Sequence, residues 1–330
     1  MSDVNLYCVI VTYKDRWSFV QSALDALNPK SGISIVLVNN GSSPFTFSQE
    51  LIHAFKEFHV INSPHNNGSA WGYAQGIQYA VSKSDSGKIL LLDDDNLITE
   101  QNLSNLLHAY DTLTSQTPEV LLMVAGWRKS RTYMTAMLGG YPVEKFQYVN
   151  NEFLGFSLQR LIRKVFNPYQ STGERQMVKL FYAPYGGLLF SSALIAKIGL
   201  PDARYFVYAD DFEFSSRCTK AGGQVVLVRN AVVEDLEQSW QKGRKPGFLN
   251  PSILNGSPFR VYYAVRNFII FQQNTWVKAR WKFLMNGFLY TIFLFLLSIS
   301  TFRFKAFAVY FNAVRDGLLK TFNNNKYIND

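Results

Sequence analysis

Short apolar runs alternate with helix-period segments along the first hundred residues. Leu6 to Val11 is a continuous apolar run, read as a buried strand, and it ends in the polar segment Thr12-Tyr13-Lys14-Asp15-Arg16. Phe19, Val20, Ala23, Leu24 and Leu27 then recur at helical spacing, with Pro29 and Gly32 as the stop. Ile33 to Val38 predicts a second strand, running into the polar turn Asn39-Asn40-Gly41-Ser42-Ser43. A helix over Leu51 to Phe58 and a short strand at Val60-Ile61 follow. Asn66-Asn67-Gly68-Ser69 opens another helix that continues through Tyr73, Ile77 and Val81, and Ile89 to Leu92 forms the fourth strand. Strand and helix in this rhythm predict an α/β fold with a doubly wound, mostly parallel sheet.

In a parallel sheet the strand ends share one edge, so three polar loops converge on a single crevice: Thr12 to Arg16, Asn39 to Ser42, and Asp93-Asp94-Asp95-Asn96. Three adjacent carboxylates directly after an apolar strand are costly unless something positive lies on them. A hard divalent cation such as Mg²⁺ or Mn²⁺, bridging carboxylate to a substrate phosphate, suits that arrangement. The alternative is that Asp95 or Asn96 caps a helix starting near Thr99 and the other acids are solvated. A calcium EF-hand is excluded, since its Gly and distal Glu spacing is missing. The Gly-rich stretch Asn66 to Gly72 suits a phosphate at a helix N-terminus, or else Gly72 and Gly76 simply permit close helix packing.

The middle of the chain holds a second acidic segment. Tyr185-Gly186-Gly187 reads as a loop entering a strand, after which Ser191 or Ser192 caps a short helix ending at Gly199. If a helix begins near Asp210, Glu213 and Arg217 stand four apart on one face and pair. Asp211 is then left at the helix start, either free to act on a substrate or serving as a cap.

Composition separates the C-terminal part from the rest. From Gln241 onward there are 13 Lys or Arg against the two acids Asp316 and Asp330, a balance of +11, which leaves −2 for residues 1–240 out of the net +9. Phe283 to Phe302 is twenty residues without a charge, bounded by Lys282 and Arg303. A basic tail alone fits nucleic acid or an anionic membrane, and the apolar stretch beside it points to lipid. Both flanks are basic (Lys278, Arg280 and Lys282; Arg303 and Lys305), and Asn286, Gly287, Thr291 and Ser298 interrupt the run. These features favour a helix or helical hairpin lying in or dipping into the cytoplasmic leaflet over one that spans it. An oligomer interface or a buried core helix is the alternative. Cys8 and Cys218 read as core packing in a reducing, cytosolic setting, and the N-terminus shows no secretory signal. The chain divides into a catalytic part, 1–240, and a basic, apolar helical region, 241–330.

Val11-Thr12-Tyr13, Val38-Asn39-Asn40-Gly41-Ser42, Asn67-Gly68-Ser69-Ala70-Trp71-Gly72, Asp93-Asp94-Asp95, Gly186-Gly187 and Asp210-Asp211-Phe212-Glu213 with Arg217 follow one another between residue 6 and about residue 240. In this set the chain resembles an inverting family 2 glycosyltransferase of GT-A fold, and within that family the bacterial galactofuranosyl- and rhamnosyl-transferases of O-antigen, capsule or cell-wall synthesis. The resemblance implies that Thr12, Arg16, Asn39, Asn67 and Asp94 bind the nucleoside-diphosphate sugar. It implies that Asp93 and Asp95 hold Mn²⁺ or Mg²⁺, that Asp211 is the general base, and that Gly186, Gly187, Asp210 and Trp240 contact the acceptor. Two departures stand out. Asn39 occupies a position where the family commonly has Asp, and all four His precede Asp111, so the third metal ligand that the family often supplies as His is replaced by Asp235 or lost.

Gln241 to Gly247 reads as a basic loop that closes over the diphosphate, or as a solvated linker. Pro258 to Asn267, with Tyr262, Tyr263, Arg266 and Asn267, resembles a helix of transferases acting on lipid-linked glycans. The implied activity is transfer from UDP-galactofuranose, or alternatively dTDP-rhamnose, to a polyprenyl-diphosphate-linked acceptor at the cytoplasmic face of the inner or plasma membrane, by a peripheral or monotopic protein, monomeric or homo-oligomeric, with no nucleic-acid partner. A nucleotidyltransferase is the competing class. It calls for a Gly-rich Lys/Arg signature in the first loop, which Thr12 to Arg16 lacks.

Overall fold

The computed structural model describes residues 5–27, 32–117, 120–147, 150–166, 168–237, 251–323 and 326–327. The chain forms two compact units. The first takes Met1–Gly140, Gly173–Ala203 and Asp211–Lys242, and the second takes Tyr141–Thr172, Arg204–Asp210 and Gly243–Asp330. The second unit is thus discontinuous in sequence, with its last segment starting at Gly243.

The first unit is built on strands β1 (Leu6–Thr12), β2 (Ser34–Asn40), β3 (Glu57–Ser63), β4 (Lys88–Asp93), β5 (Asn96–Leu97), β6 (Leu122–Arg128), β7 (Met177–Leu180), β8 (Leu188–Ser191) and β9 (Gln224–Asp235). Among the described residues they run in the order β3-β2-β1-β4-β8-β6-β9-β5, with β7 also paired to β9. The pairs β3/β2, β2/β1, β1/β4 and β6/β9 are parallel, while β8 lies antiparallel between β4 and β6. This is the α/β, mostly parallel sheet that the alternating pattern predicts. Leu6 to Ile10, Ile35 to Val38 and Ile89 to Leu92 are buried, as unbroken apolar runs covered on both faces should be.

Helices α1 (Trp17–Ala26), α2 (Gln49–Ala54), α3 (Ser69–Lys83), α4 (Glu100–Gln116) and α5 (Thr132–Leu138) connect these strands. Gly72 and Gly76 let α3 approach β1, because a Cβ on either would run into the side chain of Val11 or Val9. The packing role weighed for these glycines is therefore the one they have. Thr99, rather than Asp95 or Asn96, caps α4, its hydroxyl accepting from Asn102 N at 3.3 Å.

One sequence expectation gives way. The helix expected over Leu51 to Phe58 ends at Ala54, and Glu57–Ser63 is a full strand in place of the short Val60-Ile61 segment. Ser48 sets the helix start by accepting from Leu51 N. Phe55 and Phe58 both reach the same apolar core from two different elements, which imitates helical spacing. As an edge strand, β3 is only partly buried, so its apolar signal is thin.

The second unit is helical. After α6 (Leu158–Phe166), and with α7 (Ile195–Ile198) and α8 (Asp210–Lys220) intervening in the chain, come α9 (Pro258–Thr275), α10 (Arg280–Ser300) and α11 (Phe304–Leu318). Ser257 caps α9, with Pro258 at its first position. The unit has its own core, in which Phe153, Phe156, Tyr262, Tyr263, Phe283, Tyr290, Leu294 and Tyr310 pack together. Within it, Asn267 Nδ2 lies 2.7, 2.7 and 3.0 Å from the carbonyl oxygens of Tyr205, Val207 and Tyr208. Phe206, Tyr208 and Ala209 all have positive φ, between 61° and 66°. Asn267 thereby holds a loop that an unassisted backbone would resist. Cys8 and Cys218 are buried free thiols, as packing residues would be.

Candidate active site

The ends of β1, β4, β6 and β9 meet around the three aspartates. At the end of β1, Thr12 Oγ1 donates to Asp94 Oδ2 at 2.9 Å. Arg16, just before α1, donates from Nε to Asp94 Oδ2 at 2.9 Å and Oδ1 at 3.0 Å. Its Nη1 reaches Glu237 Oε2 at 2.7 Å, and its Nη2 lies 3.8 Å from Asp95 Oδ2. Thr12, Arg16 and Asp94 are therefore one cluster, joined before any ligand is present. Burial raises the Asp94 carboxyl, and the bonds from Arg16 and Thr12 oppose that rise.

A second cluster surrounds Asp93. The Tyr73 hydroxyl lies 2.9 Å from Asp93 Oδ1 and 2.9 Å from Leu92 O, while Arg128 Nη1 donates to Asp93 Oδ2 at 3.0 Å. Arg128 also donates to Asp235, through Nε at 2.8 Å and through Nη2. Asp235 accepts in addition from Ser130 Oγ and, at 2.9 Å, from Asn96 Nδ2. The short strand β5 explains this reach, since Asn96 pairs with Asp235 in register. Burial alone would lower the Arg128 pKa, but Asp93 and Asp235 more than reverse it, so the guanidinium stays charged.

Asp95 is the least compensated acid. Burial, then the charge of Asp93, pushes its carboxyl up to about 7, against the attraction of Arg128. A site short of positive charge beside hard oxygen donors fits a divalent cation. The residues that would hold one are Asp93 and Asp95. Asp235 stands where a third ligand is expected, but Arg128, Ser130 and Asn96 engage its carboxylate. Among the described residues, no group of three or more His, Cys, Asp and Glu is arranged to hold a metal.

Asn39 and Asn67, expected at the donor, shape loops. Asn39 Oδ1 accepts from Ser42 N at 2.9 Å, and its Nδ2 donates to Asn62 Oδ1 at 3.0 Å. Asn67 Nδ2 donates to Ser63 Oγ at 2.7 Å and His65 O at 3.1 Å. Asn40 ties the two loops together: its Oδ1 accepts from Asn67 N at 2.9 Å and its Nδ2 donates to Gly68 O at 3.0 Å.

Gly186 lies directly against the acid cluster. A Cβ there would collide with Asn96 Oδ1, Arg128 Nη1 and Asp93 Oδ2. Gly187, at φ +84°, donates from its N–H to Leu91 O at 2.8 Å and lets β8 start beside β4. Asp211 is half-buried in the first turn of α8, with Oδ1 accepting from Phe212 N at 2.8 Å. Glu213 and Arg217 pair at 3.3 Å, as their spacing predicts. Tyr133 is raised by desolvation, and the charges that act on it include Arg131, Arg128, Asp211 and Asp235, so Asp211 acts on the same phenol as the Arg128–Asp235 pair. Asp210 is buried. Trp240 and the basic segment 241–247 lie outside the described residues.

Arg128, Tyr73, Ser130 and Asn40 are the residues that sequence reasoning missed. Arg128 carried a readable signal, the first charge after the apolar run Leu122 to Trp127, with Lys129 and Arg131 close behind. Tyr73 carried none, since its spacing marks it only as helix core.

The family described as Glycosyl transferase family 2 matches residues 8–165. No curated protein matches the sequence. Among solved structures, S. aureus TarS is similar at 14% identity and a TM-score of 0.48, over 86% of this chain and 44% of that one. GalNAc-T7, crystallised with UDP, GalNAc and Mn2+, is similar at 14% identity and a TM-score of 0.49, over 82% of this chain and 48% of that one. The 1–349 fragment of S. aureus TarS is similar at 14% identity and a TM-score of 0.48, over 96% of this chain and 83% of that one. The chain thus spans less than half the length of the first two. The match of residues 8–165 to Glycosyl transferase family 2, together with the strand-end carboxylates inside it, supports a glycosyltransferase.

Proposed function

We propose that this chain is an inverting glycosyltransferase that moves a sugar from a nucleoside diphosphate to a lipid-linked glycan, working at the cytoplasmic face of a membrane. UDP-galactofuranose is the favoured donor and dTDP-rhamnose the alternative. The observation that carries the reading is the convergence of Thr12, Arg16 and Arg128 on Asp93, Asp94 and Asp95 at one sheet edge. Asp93 and Asp95 would hold a divalent ion, and the chemistry it would supply there is charge neutralisation of the departing diphosphate.

The chain's own residues do the rest. Thr12 and Arg16 fix the Asp94 carboxylate, and Arg128 fixes Asp93, so the acids are oriented before the donor arrives. Asp211 accepts the acceptor hydroxyl proton as that oxygen bonds to the anomeric carbon and the bond from that carbon to the diphosphate breaks. One base and one in-line displacement give inversion, whereas a retaining glycosidase uses two carboxylates in sequence.

The experiment is a donor panel with a lipid-linked acceptor and the purified full-length chain. Transfer from a nucleoside diphosphate sugar with inverted anomeric configuration supports the reading. Release of inorganic diphosphate from a nucleoside triphosphate and a sugar phosphate would move the chain to the nucleotidyltransferases.

A further inference from the structure

The C-terminal unit carries two outward apolar surfaces on different helices. On α10, Trp281, Met285, Phe288, Ile292, Phe295 and Ile299 are exposed at alternating spacings of four and three, which places them in one stripe along the helix. The opposite side of α10 is buried in the unit: Asn286 Nδ2 donates to Asn151 O at 2.8 Å, Thr291 and Tyr310 hydroxyls lie 3.0 Å apart, and Gly287 abuts the Phe153 ring. α10 is long and apolar enough to cross a membrane. Its buried side, however, is held by Asn151 and Phe153 and by α11, which also carries Arg315 and Asp316, so only the opposite side faces outward.

The second surface is α6, whose apolar Leu158, Leu161, Ile162, Val165 and Phe166 stand at helical spacing. Ile162, Val165 and Phe166 are 60%, 71% and 82% exposed, an uncommon display for a soluble surface. Between α6 and α10 runs a cleft of about 670 Å³, lined by Ile162, Phe166, Trp281 and Met285 with Arg163 and Lys282 among its walls. No acidic residue occurs between Glu152 and Glu174 or between Glu237 and Asp316, whereas Arg160, Arg163, Lys164, Lys278, Arg280 and Lys282 fall within those stretches.

We propose that α6 and the outer stripe of α10 form a single docking surface that lies in the plane of an anionic lipid leaflet, with lipid entering the cleft between them. The inference rests on the membrane-side reading above and adds the second helix and the cleft between the two. Apolar side chains enter the acyl boundary while Arg163 and Lys282 meet lipid phosphates. Charge decides against a second copy of the chain as occupant, since two such basic rims repel each other.

The test uses full-length protein and vesicles of phosphatidylcholine with or without phosphatidylglycerol. Wild type should float with the anionic vesicles and be extracted by alkaline carbonate. The double variant Ile162→Ser/Phe166→Ser should partition at least about tenfold more weakly. Brominated lipid should quench tryptophan emission in wild type and much less in Trp281→Phe. Matched thermal melts establish that each variant is folded. If the α6 variant floats as wild type does, the two-helix surface is overturned while the membrane-side reading stands. Wild type that floats with no vesicle overturns the membrane-side reading itself, and resistance to carbonate overturns the in-plane orientation. A vesicle-free dimer abolished by the α6 substitutions would assign the face to a second copy and overturn the proposal.

Discussion

Arg128 and Asp235 form a buried ion pair, with side chains 3% and 2% exposed, across the ends of two neighbouring strands. The pair lies 107 residues apart in the chain, and its guanidinium also reaches Asp93 at the tip of β4. A buried carboxylate without its partner is far more costly than the intact pair is stabilising. Arg128→Met should therefore destabilise the protein by about 3–5 kcal/mol. Urea denaturation checks this, and addition of Asp235→Leu should recover part of the loss. A midpoint unchanged in Arg128→Met would show that the pair does not hold the strand ends.

Asp211→Asn keeps the size of the side chain and removes its basicity. Donor binding, read by a UDP thermal shift, should be unchanged. Transfer should fall by roughly 10²- to 10⁴-fold, the usual contribution of a positioned base. Undiminished turnover would take Asp211 out of the proton-accepting role.

Asp93→Asn and Asp95→Asn address the proposed cation. Wild type should gain thermal stability from UDP with Mn²⁺ and lose that gain in EDTA, because only the folded state binds. Both variants should melt alike with and without UDP and Mn²⁺. Full transfer by wild type in EDTA would show that the acids act without a metal.

Gly186→Ala places a methyl group against Asn96, Arg128 and Asp93 at once. All three atoms it meets belong to side chains, so the fold should survive at a cost of about 1–3 kcal/mol. Turnover should fall at least about tenfold as the acids are displaced. Circular dichroism and steady-state kinetics on the same preparation separate the two effects.

Asn267→Ala leaves the carbonyls of Tyr205, Val207 and Tyr208 without their shared donor. Losing buried partners of this kind costs about 1–3 kcal/mol. A fall in thermal midpoint, with faster proteolysis near Tyr208, is the expected result.

Much of the first unit was legible because its signals are local. Leu6 to Val11 and Ile89 to Leu92 are short apolar runs that end in polar residues, and in a parallel sheet those ends must share an edge. That reasoning located Thr12, Arg16 and Asp93 to Asp95 together, and the structure joins Thr12 and Arg16 to Asp94 directly. What it could not supply is pairing across long separations. Nothing near Asp235 in sequence announces Arg128, and nothing near Asn39 announces that Asn62 engages its amide. The Leu51 to Phe58 helix failed for a related reason: Phe55 and Phe58 face one core from two elements, and periodicity cannot tell two elements from one. α6 was legible as a helix, since Leu158, Leu161, Ile162, Val165 and Phe166 recur at helical spacing; the outward placement of Ile162, Val165 and Phe166 was not.

The register that sets Asn96 opposite Asp235 has a consequence for biosynthesis. The acids at the tip of β4 are made early, but the strand that clamps them is completed only at Asp235, 139 residues after Asn96. Until then Arg128 lacks one of its two carboxylates, and the edge of β6 that receives β9 is unpaired. Pairing over such separations forms slowly and leaves partly built sheets open to misassembly. The acid cluster is thus among the last parts of the sheet to assemble on the ribosome, and any nascent chain released before Asp235 has the strand-end loops but not the clamp that sets them.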